Sequence, residues 1–319
     1  MNVEFQMFNF EERNSFPCAL GLMPCAVLEV PRMSYEYYIG VIDEESVLVE
    51  CGPMRLVIRA WNKTQPQISP ARRAAEASIL YLERIARCRP LLSRPWPQIK
   101  DLCDDELAQR MVTSVKTIGD GDLTPMAAVA GTIADAVADW LFERGLTRVI
   151  VDNGGDIAVR LAEGEKVTVG VRPHVASPLI SHVIRLDSSR SAWGVTTSGM
   201  GGRSFTRGIA SAVTVLADNA SLADAAATAV ANACFVADKG NLQLPAENID
   251  PNSDLTGTLI TTEVGRLSSE KILAAINNAR QKADEFSQKG IIVGAFIALA
   301  GVYTMTNGMK KYAMPVKNS

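Results

Sequence analysis

Apolar and polar positions alternate along short stretches near the start of the chain, then fall into longer runs with a helical period. Tyr35–Ile42 and Ser46–Glu50 are rich in β-branched and aromatic residues, with Asp43–Glu45 as a polar turn between them. Leu56–Trp61 reads as a third strand. Ser69-Pro70 supplies an N-cap and a first-turn proline, predicting a helix through the alanine-rich stretch to Cys88. Pro90, Pro95 and Pro97 predict a stiff, non-helical connector over Arg89–Ile99, followed by a helix over Asp101–Val115. Thr124-Pro125 opens another helix, which runs to Arg144 and stops at Gly145. Its Ala127, Ala130, Gly131, Ala134 and Ala138 recur at three- and four-residue spacing, so this face can approach another backbone closely.

The middle of the chain is β-rich: Thr147–Asp152, Ile157–Leu161, Val167–Arg172, Val183–Leu186, Ala192–Thr196 and Gly208–Ala217 read as strands, with Glu163–Lys166 as a tight turn. Leu222–Phe235 and Ser269–Phe286 read as helices, and Ile291–Tyr303 closes the chain as strand. Strands joined by short turns, with helices in pairs, predict an α+β fold of antiparallel sheets backed by helices. A doubly wound sheet would need strand and helix to alternate, and they do not. No repeat and no low-complexity linker divides the chain, so one domain is expected over residues 1–319. Within it, residues 1–121 supply N-terminal strands and helices and residues 122–319 the motif-bearing core.

A chain of 319 residues can bury a large core without a disulfide or metal staple. The net charge of −3 offers no broad basic face of the kind nucleic acid requires, so no nucleic-acid partner is expected. Cys18, Cys25, Cys51, Cys88, Cys103 and Cys234 contain no C-x-x-C pair and read as free thiols in a reducing compartment. Met1–Arg13 is acidic and aromatic, and Leu20–Cys25 has proline before its cysteine, so neither reads as a leader. Ile291–Thr304 is apolar but shorter than the roughly 20 residues of a spanning helix, and Gly294 and Gly301 interrupt it. A buried strand or strand pair is expected there, with a cytoplasmic location and no membrane partner.

Three segments carry candidate chemistry. On a helix over Ser221–Asn232, Asp224, Thr228 and Asn232 form one polar stripe among alanines. Such a helix is apolar nearly all round and should be buried, where a carboxylate needs a partner. Oxygens one turn apart suit a hard cation such as Mg²⁺, while Ser221-x-x-Asp224 also matches a capping box. Val195–Arg207 places Gly199, Gly201 and Gly202 beside Thr196, Thr197, Ser198, Ser204, Arg203 and Arg207. It can be an anion-binding loop of inward amides and charge, or a flexible hairpin tip. Asp152-Asn153-Gly154-Gly155-Asp156 follows a strand and reads as a tight turn whose acceptor and donor side chains flank a bare backbone. His174 and His182 bracket a proline-bearing loop; they can serve as a base or a metal pair, but no Cys or carboxylate stands at ligand spacing and they read as structural.

Taken in order, these segments resemble the ApbE-like superfamily of FAD:protein FMN transferases, closest to its poorly characterised branch. The resemblance rests on P-M-A-A-V-A-G at Pro125–Gly131, Gly-Gly-Asp within Asn153–Asp156, T-S-G-M-G-G at Thr197–Gly202 and A-D-x-x-x-T at Ala223–Thr228. It covers roughly Asp122 to Asn232. It implies a T-fold-like arrangement that binds FAD or FMN in a cleft. It also implies Mg²⁺ held by Asp224 and Thr228 with a backbone carbonyl, and the helix Ala127–Ala134 facing the cofactor. Asn153, Gly154, Gly155, Asp156, Thr197, Ser198, Gly199, Gly201, Gly202 and Arg203 become the expected cofactor-binding set. The family's His-x-x-x-Pro segment is replaced by Arg203–Gly208, with neither residue, and Asp135 stands nearest its Gly-x-Ala-Lys-Gly position. Flavin or nucleotide binding therefore transfers more safely than transfer chemistry, with catalytic residues left open. A protein acceptor and a homodimer are compatible with this reading. Two alternatives stand: a non-catalytic accessory protein of anaerobic sulfur and homocysteine metabolism, and a hydrolase or lyase on an acidic small molecule.

Overall fold

The computed structural model describes residues 35–316 apart from 176 and 203. The leader reading, Cys18 and Cys25 lie outside the described residues, as does Arg203. Strands β1 (Tyr37–Val41), β2 (Ser46–Cys51) and β3 (Met54–Asn62) form an antiparallel meander, to which the two-residue β4 (Gln65–Pro66) adds an edge. Alternation sets the facing: Met54, Leu56, Ile58 and Ala60 point into the core while Arg55 and Arg59 do not.

Helix α1 (Ile68–Leu92) runs through Pro90, further than the prolines predict. Pro90 sits in the last turn, where the ring removes one N–H but leaves little helix beyond it to disrupt, and Ser93 still closes on the Arg89 carbonyl at 2.9 Å. Pro95 and Pro97 shape a short 3₁₀ turn, Trp96–Gln98. Across this connector Cys88 and Cys103 form a disulfide, which corrects the expectation of free thiols throughout. A pairing over 15 residues with no local spacing signal becomes visible only once the chain doubles back. Cys51 and Cys234 are free and buried. Helix α2 (Glu106–Ile118) starts later than predicted because Asp105 caps it, accepting from Leu107 and Ala108 N–H groups. A proline-opened turn, Pro125–Ala128, leads into α3 (Val129–Phe142).

The remaining elements are β5 (Arg148–Asp152), β6 (Asp156–Leu161), β7 (Lys166–Val171), β8 (His182–Asp187), β9 (Ala192–Ser198), β10 (Ala212–Ala217), α4 (Ala220–Ala233), β11 (Leu242–Pro245), β12 (Leu259–Glu263), α5 (Ser269–Gln288), β13 (Gly294–Leu299), β14 (Val302–Met305) and β15 (Ala313–Pro315). The main sheet has the order β1-β2-β3-β5-β6-β9-β10-β13-β14, each pair antiparallel. Helices cover one face, burying Leu56, Val149, Val151, Ala158, Val213 and Val215. The other face packs Leu161, Trp193, Val195 and Phe296 against Val169, Ile184 and Leu186 of the three-stranded sheet β15-β8-β7. The protein is therefore an α+β fold of antiparallel sheets backed by helices.

Ile291–Thr304 forms most of the β13–β14 hairpin, turning at Ala300 and Gly301 with positive φ. Among the described residues the stretch long and apolar enough to cross a membrane is instead Pro125–Phe142, by length and composition only. It contains buried Asp135 and packs among α1, α2, α4 and the sheet. His182 lies with its ring centroid 5.1 Å from Phe296 and 5.0 Å from Tyr303, and burial pushes its pKa down.

Helices α3 and α4 touch backbone to backbone: a Cβ on Gly131 would lie 2.2 Å from the Ala220 carbonyl oxygen. No rotamer change relieves a backbone clash. Gly131→Ala is therefore expected to lower stability by about 1–3 kcal/mol, measured by urea denaturation, despite alanine's better helix propensity.

Candidate functional site

The polar stripe predicted for α4 is present. Asp224, Thr228 and Asn232 are half-buried, while Ala223, Ala225, Ala226, Ala227, Ala229 and Ala231 are buried. The capping-box alternative is not what forms. Asn219 is the N-cap, its side chain accepting from Leu222 N at 2.8 Å. Asp224 instead caps the neighbouring helix: Oδ2 accepts from Gly131 N at 3.0 Å, in the first turn of α3. In return Asp135 of α3 accepts from Ala220 N at 3.1 Å and Ser221 N at 2.8 Å, the first turn of α4. Each helix thus offers a carboxylate to the other's unsatisfied, positively polarised N-terminus.

Asp135 is 0% exposed and also holds Arg160 Nη2 at 2.9 Å; Arg160 Nε reaches Asp139 at 2.7 Å. Burial opposes the Arg160 charge, but Asp135 and Asp139 outweigh it and raise its pKa. Ser221 Oγ is bonded to Thr132 Oγ1 at 2.7 Å and Ser114 Oγ at 2.8 Å, so the helix contact is polar at its centre and fully partnered there.

Among the described residues no cation neutralises Asp224 in this way. Burial pushes its pKa up to about 7, Asp135 adds to the rise, and the Gly131 and Ala130 amides restrain it. It is crowded by protein yet still reached by solvent. A carboxyl poised there favours whatever brings positive charge to it.

At the adjoining sheet end, Asn153 Nδ2 donates to the Ala130 carbonyl at 3.2 Å, placing the β5–β6 turn against the same helix start. Gly154 and Gly155 have φ of 70° and 110°, which explains both glycines, and Asp152 Oδ1 accepts from Gly155 N at 2.8 Å. Asp156 stands opposite Thr196 in the β6–β9 register. Both face the helices, as Ala158 and Arg160 do further along β6. The Thr196 hydroxyl is buried and makes no hydrogen bond among the described residues. Thr197 meets the site through its backbone N–H, which donates to Gly155 O at 3.1 Å. Its hydroxyl turns to the opposite face, 2.9 Å from Thr214 Oγ1, because neighbouring strand residues alternate. Ser198, opposite Val213, returns to the helix face.

In the glycine loop, Gly199 and Gly201 have φ of 151° and 82°. The loop is less bare than its sequence suggests. Met200 N donates to Ala210 O at 2.8 Å and Gly202 N to Gly199 O at 3.3 Å. Gly199, Met200, Gly201, Gly202, Ser204 and Thr206 line one wall of an open pocket of about 210 Å³, faced by Ile249, Ile260 and Thr261. The α4 stripe joins this pocket to Asp224. Asn232 Oδ1 accepts from Arg207 N at 3.0 Å and from Thr206 Oγ1 at 3.4 Å, at the pocket rim. Eight residues of helix set Asp224 about 12 Å from that rim.

A dedicated metal cage is not part of this arrangement: among the described residues no three His, Cys, Asp or Glu gather around one point. One carboxylate and one hydroxyl on a stripe do fit Mg²⁺, which binds through one or two carboxylates and completes its shell with water and phosphate oxygens. Asp135 and Ser221 were not singled out as site residues by spacing, and Thr196 stood only among the hydroxyls of the glycine loop. The acid in the second turn of α3, seven residues into a helix of small and apolar residues, was the available signal for Asp135.

The geometry defines a class: an antiparallel α+β protein in which carboxylate-capped helices lead an acid-and-hydroxyl stripe to a glycine-loop pocket. A family model described as AbpE bacteria matches residues 40–305, and the chain belongs to that family. It is 41% identical over 128 residues to the UPF0280 protein of Methanosarcina acetivorans, covering 40% of this chain and 48% of the relative. It is 41% identical over 160 residues to that of Methanopyrus kandleri, covering 50% and 61%. The chain thus spans about half the length of the curated relatives it matches. Among solved structures it is similar to the ApbE protein of Thermotoga maritima, with TM-score 0.49, 14% identity and 86% and 99% coverage. It is also similar to the flavinyl transferase ApbE of Pseudomonas stutzeri, with TM-score 0.45, 13% identity and 88% and 97% coverage.

Proposed function

We propose that this protein binds a flavin nucleotide with Mg²⁺ along α4 and acts as an FMN transferase of the ApbE type. The observation that carries the reading is Asp224, a crowded carboxyl with its pKa near 7, one turn from Thr228 on a stripe that ends at the glycine-loop pocket. Family membership supports it, since the motifs at Asn153–Asp156, Thr197–Gly202 and Ala223–Thr228 are those on which the ApbE resemblance rests. Asp224 and Thr228 would hold Mg²⁺, which supplies charge neutralisation at a pyrophosphate. The Gly131 amide keeps Asp224 Oδ2 oriented, and Asn232 fixes the loop start at Thr206–Arg207. Ser204 and Thr206 offer hydroxyls, and the apolar wall at Ile249 and Ile260 offers a surface for a planar ring.

Binding without transfer is the second reading, favoured by two features. The glycine loop already uses the Met200 and Gly202 amides internally, and Arg203–Gly208 carries no histidine. Thermal melting with FAD, with Mg²⁺ and with both separates the possibilities. The combination should raise the melting temperature by about 5–10 °C at saturating ligand, more than the two alone. AMP release then distinguishes a transferase from a binder. No stabilisation by FAD under any metal condition would remove the flavin reading.

A further inference from the structure

Hydroxyls buried around α4 and β9 find partners inside the protein. Ser221 Oγ is shared with Thr132 and Ser114, and the Thr197 hydroxyl meets Thr214. Among the described residues two buried hydroxyls, Thr196 Oγ1 and Ser287 Oγ, have none. Ser287 sits in the last turn of α5. Thr196 is 0% exposed on β9, on the face that α4 covers. A buried hydroxyl without a partner is destabilising, an arrangement explained when a bound group supplies what is missing.

Two sets of contacts put this hydroxyl beside Asp224. Gly194, two residues earlier on the same strand face, lies against the start of α4, where a Cβ would clash with the Asn219 carbonyl and Ala220 N. At the far end Gly208 lies against the Ala231 carbonyl, and Ile209 N donates to Cys234 O at 2.8 Å. Helix α4 therefore runs along β9 from Gly194 towards the glycine loop. Two strand residues advance about 6.6 Å and four helical residues about 6 Å, which sets Thr196 level with Asp224. From the other side, the Asp224–Gly131 and Asn153–Ala130 bonds hold the start of α3 between α4 and the β5–β6 turn. Asp156, just past that turn, is the registered neighbour of Thr196.

We infer that Thr196 is a positioning residue of the cation site: its Oγ1 accepts a hydrogen bond from a water in the shell of the Mg²⁺ that Asp224 and Thr228 hold. The inference rests on the metal part of the reading above. A phosphate group does not suit that place, because beside the Asp224 carboxylate it is repelled unless a cation stands between them. Mg²⁺ held by one or two carboxylates keeps several waters, and each of these points its hydrogens outward at acceptors. A hydroxyl offers two lone pairs for that purpose, and Thr196 has both unused.

The test titrates Mg²⁺ against the full chain at saturating FAD and reads the melting temperature. Thr196→Val keeps the shape of the side chain and removes the hydroxyl. Without ligand it should melt at the wild-type temperature or about 2–4 °C above it, since an unpaired buried hydroxyl is gone. The Mg²⁺ concentration giving half of the metal-dependent shift should rise about 10–100-fold, with the shift by FAD alone unchanged. Thr196→Ser keeps a hydroxyl and should keep the wild-type Mg²⁺ requirement. A wild-type Mg²⁺ requirement in Thr196→Val overturns the assignment. Ligand-free melting of that variant well below wild type also overturns it, by making the hydroxyl part of the fold, as does loss of its shift by FAD alone, which would make Thr196 a nucleotide contact. Wild-type protein stabilised by FAD with no contribution from Mg²⁺ removes the metal reading and this inference with it, while flavin binding stands. Failure of the reading is thus seen in the wild-type curves, and failure of the inference alone in those of the variant.

Discussion

Asp224→Asn is expected to abolish the contribution of Mg²⁺ to FAD binding and to reduce any FAD cleavage by about 1,000-fold, while the protein stays folded. The amide keeps an oxygen for the Gly131 N–H but removes the charge a hard cation needs. A metal-free pH titration gives an independent check. The folded-state pKa of about 7 lies above the ordinary value of 3.8, so the folded protein binds the proton more tightly than the unfolded chain. Stability from this group is therefore greatest below about pH 4, falls as pH rises to about 7, and levels off above it. In EDTA, wild type should lose stability between about pH 4 and pH 7 relative to Asp224→Asn. A variant whose pH slope matches wild type would show that Asp224 does not carry the raised pKa.

The largest structural effect is expected at Asp135. Asp135→Ala removes the acceptor of two amides at the α4 N-terminus and one partner of a guanidinium that is 5% exposed. Breaking one side of a buried pair costs about 3–5 kcal/mol, here lowering the melting temperature by about 10 °C. Asp135→Asn should cost less, because its carbonyl still accepts one amide. Combining Asp135→Ala with Arg160→Met should recover part of the loss, since the uncompensated charge is then gone. A drop below about 1 kcal/mol in Asp135→Ala would mean that the two helices do not depend on their exchanged carboxylates.

Much of this arrangement is legible in the sequence, and the exceptions have physical reasons. The small-residue face of α3 and the stripe on α4 follow from helical period alone, and a close backbone contact between α3 and α4 falls on Gly131 as that spacing implies. Gly154, Gly155 and Gly201 occupy positive φ, which only their identity could signal. What the sequence hides is tertiary. Ser221-x-x-Asp224 has the spacing of a local cap, yet Asp224 reaches across to α3, because Asn219 already satisfies its own helix. Thr197 lies inside the motif, but strand alternation turns its hydroxyl away and brings Thr196 and Ser198 to the helix side. Pro90 misleads because proline's cost depends on how much helix follows it, and only Leu91 and Leu92 do. The Cys88–Cys103 link depends on a chain reversal that no local pattern encodes.

A crystal structure of the full chain soaked with FAD and Mg²⁺ tests the shared site most directly. The expected result is a magnesium ion about 2.0–2.1 Å from oxygens of Asp224 and Thr228, its shell completed by water and pyrophosphate, with the nucleotide running along α4 into the pocket at Gly199–Gly202. FAD bound elsewhere, or a metal that leaves Asp224 hydrogen-bonded only to the α3 amides, would contradict it.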